Sequence, residues 1–340
     1  MQSKFFILLL FSIVIISCGT KNKHTENSTN EDIATETAQS DAEPVNLFEH
    51  PDFAKKFNAY INFSNRFHKS ATKSYEKYLA WVDKAKGPKY GKNTPQTLYE
   101  LHERSLEKVA KEVDFDPQMK GIDQPMRQVV EKADALYQLI NTANGYYEKE
   151  DYKDDDFAKG QVLHPQLMKA FEEYFAAYEK ISLPFQQLQD ETFRFDVEKF
   201  KANGQAIRYN LMINLKNVED IATLIDSLDG SDLKKVDMKS LDEKMKAFKE
   251  SHNKLENLQN DEAQLEKAFG NMAVFKRSNL DSYVTNGVDF IKNIRNLKER
   301  IKTNNFKYSI VHPSIPDKGS PAKLFELYSQ MVNLYNRMSR

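Results

Sequence analysis

Cysteine is almost absent from this 340-residue chain, Cys18 being the only one. One thiol forms no disulfide within a chain, even in an exported protein whose compartment would permit it. A thiol nucleophile is equally disfavoured, since Cys18 follows a hydrophobic leader with no histidine or helix nearby to lower its pKa. Glycine and proline are scarce, at 11 each, and fall mostly between periodic segments, which excludes a turn-rich strand architecture. Net charge is nearly absent too. The 49 Lys+Arg against 50 Asp+Glu leave −1, without the basic excess of a nucleic-acid binder, so no nucleic acid is expected as partner.

Catalytic signatures are also missing. The histidines are His24, His50, His68, His102, His164, His252 and His312, and no two stand three or four apart. Zinc spacing of the HExxH kind is therefore absent, and His102-Glu103-Arg104 lacks its second histidine. No Walker loop, GxGxxG or GxSxG occurs. The expectation is a protein that is not an enzyme, with no cofactor and no metal centre.

What is present begins at the N-terminus. Lys4 precedes an apolar run from Phe5 to Ile16, too short for a bilayer-spanning helix of roughly 20 residues but suited to the core of a signal peptide. Ile15-Ile16-Ser17-Cys18 resembles a bacterial lipobox: an aliphatic residue, a tolerant position, a small residue and the cysteine to be lipidated. The resemblance implies a leader over 1–17 and several acyl chains on Cys18, and stable anchoring takes at least two. The partner so implied is the lipid bilayer. Gly19 stands where an inner-membrane retention aspartate would stand, so the outer membrane, facing the periplasm, is the expected address.

From Gly19 to Asn46 the sequence is polar and rich in Thr, Asn, Glu and Ser, which predicts a disordered tether. With Cys18 it makes the segment 18–46. Such a tether has a coil dimension of roughly 30 Å and an extended reach of about 95 Å. Residues 47–340 then read as one helical domain.

Stripes at spacings of three, four or seven carry the helical signal. Phe53, Phe57, Tyr60, Phe67, Ala71, Tyr75, Tyr78 and Val82 form the first, ended by Gly87-Pro88. Thr94-Pro95 reads as an N-cap and first-turn proline for a second helix through Leu98, Leu101, Val109 and Val113. Val129, Ala133, Leu136, Ile140 and Tyr147 make the third behind Pro125. Leu163, Leu167, Phe171, Tyr174, Tyr178 and Ile181 make the fourth, with Pro165 as a fresh start and Pro184 as a kink or end. A fifth runs from Val197 through Phe200 to Leu228. Leu241 to Leu258, Val284 to Ile301, and Leu324 to Met338 behind Ser320-Pro321 complete the series. Phe306 to Val311 predicts an extended connector ahead of His312-Pro313. The fold class is therefore all-α, an elongated antiparallel bundle of about seven or eight long amphipathic helices.

The turn between the third and fourth helices is acidic: Glu150, Asp151, Asp154, Asp155 and Asp156. Tested as a calcium loop, it fails from Asp151, where the third position is Lys153, and from Asp154, where the fifth is Ala158 and the twelfth Pro165. A solvated turn whose carboxylates cap the next helix accounts for the same residues. Trp81 reads as packing.

Tyr146-Tyr147, Tyr152-Lys153-Asp154-Asp155, Phe157-Ala158-Lys159-Gly160 and Leu163-His164 resemble the signature block of the YiiG-like bacterial lipoproteins, whose shared domain is of unknown function (3829). The resemblance extends to AYINFSNRF and LAWVDKAKGPKYG near the start, RYNLMINLKNVEDIATLI in the middle and LYSQMVNLYNRM at the end. It implies a helical periplasmic domain and brings no activity, cofactor or catalytic residue.

Together these readings predict a non-enzymatic envelope lipoprotein that binds or spaces another envelope protein. The alternative is a cation- or small-ligand-binding module centred on the turn 150–164, through Asp151, Asp154, Asp155 and His164. An uncharacterised hydrolase stands third. The candidate ligand or signature residues are Tyr147, Tyr152, Asp154, Asp155, Lys159, Gly160 and His164.

Overall fold

The structure is a computed structural model that describes residues 46–91, 93–226, 228, 230–307 and 316–339. The leader, Cys18, most of the tether, and the connector from residue 308 with His312 lie outside the described residues. The described residues are all-α, with no strand among them. Their contacts fall into two compact units that part between Leu188 and Gln189.

In the unit before that boundary, α1 (Phe53–Asn62), a π-helical turn (Phe63–His68) and α2 (Lys69–Leu79) follow one another without a break. The π turn takes up extra residues and keeps Phe63 and Phe67 both fully buried. α3 (Glu103–Glu112), α4 (Asp123–Glu148) and the first part of α5 (Ala158–Ala202) complete it. Phe57 meets Phe185 at 5.7 Å, Phe67 meets Tyr174 at 5.7 Å and Tyr75 meets Phe171 at 5.2 Å. Rising numbers on one side meet falling numbers on the other, so α1–α2 and α5 are antiparallel.

Three local expectations are corrected. Residues 94–102 lie outside any helix, and the second helix begins only at Glu103. Side chains take the bonds that a helix would have used: Leu98 N donates to Asn144 Oδ1 at 2.7 Å, and His102 N to Ser70 Oγ at 3.2 Å. Neither Pro165 nor Pro184 starts or ends a helix, because α5 runs through both. An internal proline costs about 3 kcal/mol. Burial of Leu163, Leu167, Ile181 and Phe185, each contributing about 1.5–3 kcal/mol, outweighs it. The fifth stripe is split at Gly204, whose φ of 62° ends α5, with Gln205 N reaching back to Phe200 O at 2.9 Å.

The other unit contains α6 (Ala206–Ile225), α7 (Met238–Leu258), α8 (Glu262–Phe269), α9 (Ala273–Thr303) and α10 (Pro321–Ser339). Periodicity did not separate the short α8. The four longer helices form a ring in chain order, α10 returning to α6, as in an up-down-up-down bundle. Asn217 reaches Ala247 O at 3.2 Å while Asn214 reaches Phe248 O at 3.3 Å. Lys276 Nζ at the start of α9 meets Met338 O near the end of α10 at 2.7 Å. Inside, Asn214 bonds Ser251 Oγ at 2.9 Å and accepts from the Tyr283 hydroxyl at 3.0 Å, joining α6, α7 and α9. His252, 1% exposed, lies against Gly287, where an added Cβ would come within 2.3 Å of the ring.

The first unit has its own polar lock. Lys56 is fully buried, and its ammonium donates to Asp123 Oδ2 at 2.7 Å, Phe115 O at 2.7 Å and Pro117 O at 3.1 Å. Asp123 also accepts from the Tyr60 hydroxyl and from Met119 N. Every ammonium proton is used. Breaking a buried pair strands a charge, so Lys56→Met is expected to destabilise the protein by about 3–5 kcal/mol in urea unfolding, with partial recovery on adding Asp123→Leu.

Burial lowers the pKa of His68 to about 4. Between pH 6.5 and 4 the unfolded chain takes up a proton that the folded His68 refuses, so stability is lost as pH falls through that window. Full loss amounts to about 3 kcal/mol. Glu219, raised to about 7 by burial, and Asp196, raised to about 6, act in the opposite sense, so the His68 contribution is read by difference. His68→Phe is expected to flatten this acid slope in unfolding curves.

Candidate functional site

The hairpin between α4 and α5 carries the signature residues. Tyr146 and Tyr147 close α4, Asp151–Lys153 form a 3-10 turn, and Gly160 and His164 lie in the first turns of α5. Glu150, Asp156 and Phe157 have positive φ, at 58°, 47° and 64°, a conformation that non-glycine residues rarely adopt. Such a backbone persists only where its surroundings over-determine it. Here Phe157 stacks on buried Tyr152 at 5.0 Å. Asp156 pairs with Lys89.

Asp155 is the organiser of the turn. Its Oδ1 accepts from the Tyr146 hydroxyl at 2.7 Å, and its Oδ2 accepts from Lys159 N at 3.0 Å, capping α5. These bonds, the Tyr146 hydroxyl first, hold its carboxyl below the usual carboxylate range. The Lys159 ammonium lies over the Tyr146 ring at 5.6 Å. Asp154 and Lys153 are exposed, and Lys153 pairs with Glu150. The expected helix-capping role therefore falls on Asp155 alone of the five acids.

His164 points the other way. It is 6% exposed, with Nδ1 at 3.0 Å from the Tyr78 hydroxyl and Nε2 at 3.1 Å from Lys84 O. Among the described residues, no three His, Cys, Asp or Glu side chains are placed to hold a metal ion. Tyr147, Tyr152, Asp155, Gly160 and His164 are thus brought into one cluster, while Asp154 stays at its surface.

The segment from Tyr78 to Gly91 completes the cluster, and only the resemblance to LAWVDKAKGPKYG pointed to it. Trp81 packs edge-on against Tyr147 at 5.0 Å and against Tyr78 at 5.4 Å. Gly87, with φ of 88°, comes so close to α5 that an added Cβ would lie 2.1 Å from Gln161 Oε1. The Tyr147 hydroxyl stands beside that of Tyr78, and burial first, then that neighbour, raise its pKa above the ordinary range. Trp81 Nε1 is buried without a hydrogen-bond partner among the described residues. Leaving a buried donor unmade costs roughly 1–3 kcal/mol.

Gly160 shows how tight the contact is. An added Cβ would lie 3.2 Å from Pro88 Cγ, 3.2 Å from Tyr146 Cε1 and 3.3 Å from the Tyr147 hydroxyl oxygen. Alanine gains about 1 kcal/mol of helix propensity, but crowding fixed rings costs about 1–3 kcal/mol. Among the described residues, nothing lies within 4 Å of the same position at Gly145 in α4. Gly160→Ala is expected to lower stability by about 1 kcal/mol and Gly145→Ala to raise it by a similar amount, both read from chemical denaturation.

Comparison with known proteins places this cluster in a family. No solved structure matches the chain. A stretch of 192 residues is 27% identical to the uncharacterized protein YiiG of Escherichia coli (strain K12), covering 54% of this chain and 54% of that protein. The chain thus spans about half the length of the curated relative it matches. The family model described as a protein of unknown function, DUF3829, matches residues 52–337, which include both helical units and the whole signature cluster, and the chain belongs to that family.

Proposed function

We propose that the protein is a bacterial envelope lipoprotein, anchored through acylated Cys18 in the outer membrane and holding its helical units in the periplasm as a non-enzymatic binding or spacing module. The observation that carries this reading is the ordered leader and lipobox, Lys4, Phe5 to Ile16, then Ile15-Ile16-Ser17-Cys18. The polar segment to Asn46 supplies reach between anchor and fold. None of the described helices is long and apolar enough to cross a membrane. Attachment in this reading is supplied by the acyl chains, because two or more together hold a protein stably in a bilayer.

The signature cluster supports a scaffolding role. Its acidic and imidazole groups are engaged with one another's neighbours: Asp155 with Tyr146 and Lys159, Asp156 with Lys89, and His164 with Tyr78 and Lys84. A protein partner in the envelope fits this reading better than a cation at the turn, since the acids and His164 do not share a focus. Growth of the producing cells with a radiolabelled fatty acid tests the anchor. Label is expected on the wild-type chain and in the outer-membrane fraction, and Cys18→Ala is expected to lose both. An unlabelled wild-type chain that is released soluble would overturn the assignment.

A further inference from the structure

One corner of the second unit turns its apolar side chains outward. Between Lys267 and Lys276 the chain reads AFGNMAVF, eight residues without a charge. Ala268 and Phe269 are buried, but Met272, Val274 and Phe275 are 44%, 82% and 71% exposed. Val274 and Phe275 are the two most exposed large apolar side chains among the described residues. Side chains so exposed do not line a groove; they protrude, and whatever covers them must close around them.

The backbone holds them out. Gly270, with φ of 57°, ends α8, a 3-10 turn runs over Gly270–Met272, and α9 begins at Ala273. Gln205 Nε2 donates to Lys267 O at 2.9 Å, Arg208 Nε donates to Ala268 O, and Lys276 Nζ donates to Met338 O at 2.7 Å. The corner is thus pinned from α6 and from α10, and its apolar side chains cannot turn inward without breaking those bonds.

The chain's own segments outside the described residues do not fit as a cover. The connector 308–315 leaves and rejoins the fold at the other end of α9, where Arg300 Nη1 donates to Lys307 O at 3.1 Å and Gly319 N to Asn293 Oδ1 at 3.1 Å. That end lies about 40 Å along the helix from Phe275. Eight residues that must return reach out only about 16 Å. Residues 19–45 are polar, with Ile33 and Val45 as their large apolar residues, and would leave the corner wet. A fluid apolar phase suits protruding side chains better. Around the corner Glu262 is held by Arg277 at 2.6 Å and Asp261 caps α8, while Lys267 and, in the last turn of α10, Arg337 are exposed beside Glu266.

We propose that the α8–α9 corner is a membrane-contact site, at which Met272, Val274 and Phe275 enter the headgroup and upper acyl layer of a phospholipid bilayer and Lys267 and Arg337 face its phosphates. The bilayer is the one to which Cys18 is anchored, so this proposal rests on the anchoring reading for the presence of that surface. It adds a second point of attachment, made by the fold itself.

The test places an environment-sensitive nitrobenzoxadiazole dye at Val274→Cys, or at Val162→Cys as an exposed control in the other unit, in the full chain incorporated into vesicles of phosphatidylethanolamine and phosphatidylglycerol. Doxyl-labelled lipids are expected to quench the dye several-fold more at 274 than at 162. Adding Met272→Ser and Phe275→Asp, both at exposed positions, is expected to bring quenching at 274 down to the control, with the helical circular dichroism unchanged. Equal quenching at 274 and 162 would overturn the site, and so would quenching that survives the added substitutions, because the dye alone would then be inserting. Energy transfer between donor- and acceptor-labelled 274 chains without lipid quenching would assign the corner to a second copy of the chain and overturn it too. The anchoring reading is scored separately on the wild-type chain, where a free Cys18 takes up dye and an acylated one does not. Cys18 contributes equally to both labelled variants, so the difference between 274 and 162 decides the site in either case.

Discussion

A polar atom taken out of water inside a helical fold has to find its partner on another element, and that demand decides how these helices meet. Apolar stripes bring helices together but leave their sliding nearly free, since one turn of Leu and Phe resembles the next. The polar atoms remove that freedom. Lys56 must meet Asp123 and the carbonyls of Phe115 and Pro117, and Asn214 must meet Ser251 and Tyr283. A slip of one turn would leave several buried groups unmade at roughly 1–3 kcal/mol each, against a total stability of about 5–15 kcal/mol. Such groups therefore specify register more than they add stability.

The same demand shapes the signature hairpin, where the backbone works against it. Two consecutive left-handed residues, Asp156 and Phe157, cost of order 1–3 kcal/mol each. Stacking of Phe157 on Tyr152 returns about 0.5–1.5 kcal/mol, and the exposed Lys89 to Asp156 pair adds little. Asp155 closes the difference, because it serves the Tyr146 hydroxyl and the N-terminus of α5 at once. The turn is held from its base rather than its rim, where the exposed pairs Lys89–Asp156 and Lys153–Glu150 add little.

How much was legible in the sequence follows from the range of each interaction. The long helices were, because burial repeats every three or four residues: Val129, Ala133, Leu136, Ile140 and Tyr147 of α4 are buried, as are Leu324 and Met338 at the two ends of the α10 stripe. The non-helical segment 94–102 was not, because what holds it is Asn144, 46 residues away from Leu98. Neither was passage of α5 through two prolines, which depends on what Phe185 and Leu167 pack against. At the site, the acidic turn and Gly160 were marked by their chain neighbours, but convergence with Tyr78, Trp81 and Gly87 joins distant segments, and only the block resemblance hinted at it. Buried Glu219 and Asp196 carried no signal, since a carboxylate on a helical repeat looks the same whether solvent or Tyr328 faces it.

The exceptions to the partner rule then become informative. Among the described residues neither ring nitrogen of buried His252 has a hydrogen-bond partner, but its flat ring fits against Gly287, and Glu256 lies 3.6 Å from Nε2 on the same helix. Shape accounts for it: the absent Cβ of Gly287 lets α7 and α9 approach, and the imidazole fills the gap that results. Tyr147 is less of an exception, since its hydroxyl stands beside that of Tyr78, and Trp81 Nε1 is left as a buried donor of the cluster with no partner among the described residues. The indole fills the space between Tyr78 and Tyr147 edge-on to both rings, and that packing offsets the roughly 1–3 kcal/mol of one unmade donor.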